Sequence, residues 1–101
     1  MMDETAYHLG EVVCALKGKD AGNHYIVVSI LDVHFVRVAD GDGRRFQTAK
    51  KKNVRHLRKM GYIASEVKNS LEQTDSVTNA KIRHGLIQYC REKPVIIKEG
   101  E

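Results

Sequence analysis

Eight lysines and arginines fall within sixteen residues: Arg44, Arg45, Lys50, Lys51, Lys52, Arg55, Arg58 and Lys59, with no aspartate or glutamate among them. Like charges held this close repel one another, so a run without its own counter-anion makes most sense if a partner supplies one. Phosphate is the obvious candidate. A second feature lies upstream, where Lys17, Gly18, Lys19, Gly22, Asn23 and His24 surround the turn GKDAGN. Glycines let a backbone come close to phosphate oxygens, and lysines on either side add charge to the exposed N–H groups.

Catalytic chemistry finds no comparable support. His8, His24, His34, His56 and His84 show no HExxH or paired metal spacing, and neither Cys14 nor Cys90 has a partner at a recognisable interval. P-loop, nucleophile-elbow and dinucleotide fingerprints are missing from the sequence. The expectation is a binding protein that is no enzyme and needs no metal or cofactor. Both cysteines read as buried small hydrophobes rather than a disulfide framework.

The overall charge of +4 hides an asymmetry. Residues 1–43 hold three cations, Lys17, Lys19 and Arg37, against seven anions; residues 60–101 hold six of each sign. The basic character is therefore local. With 101 residues, 42% apolar, the chain fits one small core. No apolar run approaches the roughly 20 residues that span a bilayer, and MMDETAYHLG lacks a secretory pattern, so the expected location is cytoplasmic, with no membrane partner.

The elements that must position the cations are mostly short strands. EVVCAL (11–16), HYIVVSIL (24–31) and FVRVAD (35–40) are apolar or alternating, and GDG (41–43) supplies a tight turn before a fourth strand, RRFQT (44–48). AKKK reads as a polar loop. NVRHL (53–57) reads as a fifth strand, with Val54 and His56 facing one way and Arg55 and Leu57 the other. Met60, Gly61 and Tyr62 look like a connector. Ser65 can cap a helix over SEVKNSLEQ, and a second helix starting near Ser76 or Thr78 carries a stripe of Ile82, Leu86, Tyr89 and Cys90. Gly85 should weaken that helix and Pro94 should end it. The apolar Val95, Ile96 and Ile97 then need a place to pack. The predicted fold class is mainly β, a small five-stranded barrel or curled sheet over residues 1–59, followed by a helical extension over 60–101 packed on it as one structural unit.

The run GEVVCALKGKDAGNHYIVV (10–28) resembles the KOW motif of ribosomal proteins and NusG-type elongation factors. Its continuation resembles the small bacterial KOW proteins related to the large-subunit ribosomal protein 14 group of archaea and eukaryotes. Gly18, Lys19, Asp20 and Gly22 match the loop; Asp40, Gly41, Arg44 and Arg45 the basic turn; Lys50 to Lys52, Asn53, His56 and Leu57 the lysine-rich segment. The match covers residues 9–58. Lys19 stands where many relatives carry arginine and Ala49 where proline is frequent, so a point charge replaces a guanidinium fork and a less rigid residue precedes the lysines.

This resemblance implies an SH3-like barrel, RNA binding and association with ribosomal RNA or the ribosome. The chain is expected to be monomeric when free. The expected RNA-binding residues are Lys17, Gly18, Lys19, Gly22, Asn23, His24, Arg44, Arg45, Lys50, Lys51, Lys52, Asn53, Arg55, His56, Arg58 and Lys59. Duller readings stand beside these. The lysines can be a solvated face, the glycines simple turn residues and His56 a packing residue. His24 and Tyr25 can stack on a base or simply pack, and Phe35 and Phe46 suit the core better than a stacking platform. The rival function is a protein-interaction module of the translation or transcription machinery, docking through barrel and helical stripe.

Overall fold

A computed structural model describes residues 6–92. Five antiparallel strands form one sheet in the order β4-β3-β2-β1-β5, with β1 at Glu11–Ala15, β2 at His24–Ile30, β3 at Phe35–Ala39, β4 at Lys50–Asn53 and β5 at Leu57–Ile63. Two helices follow, α1 over Ser65–Thr74 and α2 over Asn79–Glu92. The sheet is mainly β as expected but is not closed by a ladder between its outer strands β4 and β5. Only the three-residue 3₁₀ turn Val54–His56 joins those strands. Its Val54 N–H donates to the His34 carbonyl and its His56 carbonyl accepts from Leu16 N–H, so it straps the two edges of a curled sheet with single hydrogen bonds.

The central strands are buried on both faces, which is why β1 and β2 read as continuous apolar runs. Val13, Ala15, Tyr25, Val27, Val36, Val38 and Leu57 pack inside the curl. Val12, Ile26, Val28 and Ala39 face outward and meet Ala64, Val67, Leu71, Ile82 and Tyr89 from the helical segment. Tyr25 thus packs and is not available to stack on a base. Gly85 is where α2 comes closest to this layer: a Cβ there would lie 2.9 Å from the Ala64 Cβ and 3.0 Å from the Ile26 Cδ1. Its weak helix propensity is offset by close packing. Cys14 is half-buried, whereas Cys90, the last residue of the expected stripe, is exposed.

Four assignments change. NVRHL is not a strand of its own: Asn53 ends β4, Val54–His56 forms a 3₁₀ turn in which the Asn53 side chain accepts from the Arg55 N–H, and Leu57 begins β5. RRFQT is not a strand: the Arg44 N–H goes to the Asp40 carboxylate (2.8 Å), the Phe46 N–H to the Asn79 side chain (2.7 Å), and Phe46–Thr48 forms a 3₁₀ turn. With those donors committed elsewhere, no ladder can form there. The lysine segment taken for a loop is instead β4, pairing Val36 with Lys52, Arg37 with Lys51 and Val38 with Lys50. Lysine suits an edge strand because its charge discourages pairing with another chain. The supposed connector Met60–Tyr62 lies within β5, where Gly61 at φ +74° accommodates a register shift between Glu11 and Val13 opposite it.

The helices sit close to expectation. Thr78 caps α2 by accepting from the Lys81 N–H at 3.1 Å. Ser65 opens α1 rather than capping it, since Ala64 holds the extended cap position and makes no side-chain bond. Residues 95–97 lie outside the described residues.

Candidate nucleic-acid interface

The loop between β1 and β2 and the lysine strand β4 meet through one carboxylate. Asp20 Oδ2 lies 3.1 Å from the Lys50 ammonium and 3.7 Å from that of Lys52. The hydrogen bond from Lys50 is the main reason the Asp20 carboxyl is held below the usual carboxylate range, with the nearby charges of both lysines acting the same way. Strand register explains the selection: Lys50 and Lys52 pair with Val38 and Val36, which point into the curl, so both side chains rise along its inner wall toward the loop. Lys52 keeps only 11% of its side chain exposed. Asp20 is thus a counter-anion that the local run itself does not contain.

The glycine loop is open on its outer side. Gly18 and Gly22 have φ of +86° and +91°, and a Cβ on either would meet nothing within 4 Å. The Gly22 N–H is committed to the Ala15 carbonyl at 2.8 Å and the Asn23 N–H to the Asp20 carbonyl. By contrast, the N–H groups of Lys17, Gly18 and Lys19 have no acceptor among the described residues. Three successive exposed residues thus carry unpaired N–H donors in this arc of the loop, and two of them are lysines. The Leu16–His56 hydrogen bond brings the turn bearing Arg55 to the same end. The Arg55 guanidinium has no partner among the described residues, while the Asn53 side chain is occupied in accepting from the Arg55 backbone N–H at 2.9 Å.

Other expected residues go elsewhere. Arg58 and His24 both flank Cys14 in register, which puts them on the helix side of the sheet, and the His24 ring lies 5.6 Å from that of Tyr89. Lys51 points to the outer face with its ammonium 4.5 Å from the centre of the Phe35 ring. Lys59 turns inward to the Glu11 carboxylate at 3.7 Å, the Ala6 carbonyl and the face of Tyr7. Burial first, and the Glu11 charge second, push the Tyr7 phenol upward. Arg44 and Arg45 belong to a loop latched onto α2. There Asn79 accepts from the Phe46 N–H and donates to Gln47, and Arg83 donates to the Gly41 carbonyl at 2.6 Å. A Cβ on Gly41 would lie 2.5 Å from the Asn79 carbonyl, so the latch fits only glycine.

The run therefore converges in part. Lys17, Lys19, Lys50, Lys52 and Arg55 share one end, whereas Lys51, Lys59 and the Arg44–Arg45 pair are directed to other surroundings. Sequence reading missed the parts played by Asp20, Asn79 and Arg83. Only the last pair left a trace, its i, i+4 spacing on one helix face.

No protein-family model matches the chain. A curated Bacillus subtilis protein described as "Putative ribosome-binding protein YbzG" is 44% identical over 54 residues, which span 54% of this chain and 73% of that protein. The chain belongs to the YbzG family. Among the described residues no helix is long and apolar enough to cross a membrane, and no three His, Cys, Asp or Glu side chains gather as a metal site.

Proposed function

We propose that this chain binds the ribosome by gripping ribosomal RNA phosphates with the glycine-loop end of its sheet. The observation that carries the reading is the Asp20 bridge, which draws the Lys17–Gly18–Lys19 arc and the lysine strand into one cationic rim. The name of the YbzG relative supports the ribosome as partner. In this reading the fold is an SH3-like KOW barrel, the chain is a cytoplasmic binding protein rather than an enzyme, and it is monomeric when free. Contacts are to backbone, which is sequence-independent, so shape dominates recognition. The rival reading loses its main support, because Ile82 and Tyr89 of the helical stripe are spent on the protein's own core.

Co-sedimentation with ribosomes across a salt series tests the proposal. With about five phosphates contacted, the slope of log K against log salt should be roughly −3.5 to −4.5. Lys50→Glu with Lys52→Glu should lower association by on the order of 100-fold near 0.1 M salt. A flat salt dependence, or association untouched by the double reversal, refutes the phosphate grip.

A further inference from the structure

A second feature, on the opposite face from the inner wall used by Lys50 and Lys52, takes no part in the grip. The outer surface of β2 and β3, the Phe46–Thr48 turn and the end of α1 enclose an open groove of about 730 Å³. A bulge creates its floor. Val27 pairs with Val38 but Ser29 pairs with Arg37, so β2 carries one extra residue and presents both Val28 and Ser29 outward. Leu9 and Leu71 extend the apolar surface, and Phe46 lines the groove with part of its ring uncovered.

The polar groups are few. Arg37 is exposed and its guanidinium has no partner among the described residues. Its register partner Lys51 stands on the same face beside the groove, with its ammonium over the Phe35 ring. Gln47 accepts from Asn79 through its oxygen, which leaves its NH₂ group able to donate into the groove. Asp75, at the left-handed end of α1, also lines the groove and forms no ion pair with Arg37.

An apolar floor, one aromatic ring, a donor, an acceptor and an unpaired guanidinium with a second cation beside it are what a nucleotide needs. The volume lies within the ordinary range for small-molecule sites, roughly 300–1,000 Å³. We propose that this groove receives an unpaired nucleotide, its base against Phe46 and the apolar floor and its phosphate on Arg37 and Lys51. Asp75 is then placed to accept from an exocyclic amine, the type of contact a carboxylate makes with cytosine. The inference rests on the RNA-binding reading above and adds a site for unstacked RNA to one that holds backbone. Two adjacent cations against one carboxylate favour this occupant over a peptide segment.

Fluorescence anisotropy with the full chain separates the two sites. The probes are a labelled RNA hairpin with an unpaired loop and a fully paired RNA of the same length. Arg37→Gln should weaken hairpin binding about 5- to 10-fold and duplex binding less than 2-fold, whereas Lys50→Glu with Lys52→Glu should weaken both. Thermal melting of Arg37→Gln should match the parent, because the side chain is exposed and unpaired. Equal losses on both RNAs, no loss on either, or no binding of the parent chain to either probe overturns the groove. So does a loss confined to ribosome co-sedimentation with both RNA affinities intact, which would assign the groove to a protein. If Lys50→Glu with Lys52→Glu changes neither affinity while Arg37→Gln behaves as expected, the phosphate grip fails and the groove stands.

Discussion

Lys50 and Lys59 come from the same basic run and have different fates. Lys50 meets Asp20 at the rim of the curl with 44% of its side chain exposed, and its pair is a surface one. Lys59 meets Glu11, whose side chain is only 5% exposed, and also bonds the Ala6 carbonyl and covers the Tyr7 ring. A surface pair contributes little to stability but can hold two segments in register for a partner, whereas breaking a desolvated one leaves a buried charge uncompensated. Sequence charge is thus not a measure of binding charge. What matters is which face of the pleat each lysine occupies and what lies beneath it.

Changing the Glu11 side of this comparison should produce the largest effect on the fold. Lys59→Met should destabilise the protein by roughly 2–3 kcal/mol in urea unfolding, because the Glu11 carboxylate stays buried without its cation. Ribosome affinity, measured below the unfolding transition, should change less than 2-fold. A stable variant with greatly weakened binding would move Lys59 into the interface and dissolve the distinction.

Intermediate effects belong to cations at the loop end that have no internal partner. Arg55→Gln should weaken ribosome association about 3- to 5-fold and make the salt slope shallower by roughly 0.7–0.9, the share of one phosphate contact. Its melting temperature should not change measurably. An unchanged slope would place Arg55 outside the contact set and narrow the rim to the loop and β4.

The smallest effect is expected at Asp20. Its carboxyl titrates below the ordinary aspartate value of about 3.9, so its contribution is present above that value and is lost as pH falls through the lowered one. Between pH 5 and 8 the bridge should be constant. NMR titration of the Asp20 carboxyl should give a midpoint below that of the same residue in the Lys50→Met variant. Asp20→Asn should sharpen the picture by leaving affinity within about 2-fold, since the lost anion and the loosened loop act in opposite directions. A midpoint unaffected by Lys50→Met would show that the bridge does not form in solution.

The stretches most legible in the sequence were those where local pattern and tertiary demand agree. β1, β2 and β3 combine β-branched residues with turn chemistry at each end, and Thr78 capping before an amphipathic stripe marks α2. Residues 44–63 were misread for an identifiable reason. RRFQT has alternation suited to a strand, yet its backbone donors are claimed by Asp40 and by Asn79, 33 positions away from Phe46. KKKN has poor strand propensity, yet the exposed edge of β3 needs a partner. Gly61 looks like a terminator, yet it carries a register shift inside β5.

By itself, the sequence determined that the charge is local, that the chain is mostly short strands with a helical end, and that a glycine turn lies upstream of a lysine segment. These follow from composition and nearest-neighbour chemistry, which a linear string contains in full. Only the tertiary structure decided which cations share a surface, because that depends on strand register and on anions distant in the chain. Asp20 reaches Lys50 across 30 positions and Glu11 reaches Lys59 across 48, and no local pattern specifies either meeting. A one-residue change of register would turn the lysines that face the loop onto the opposite face.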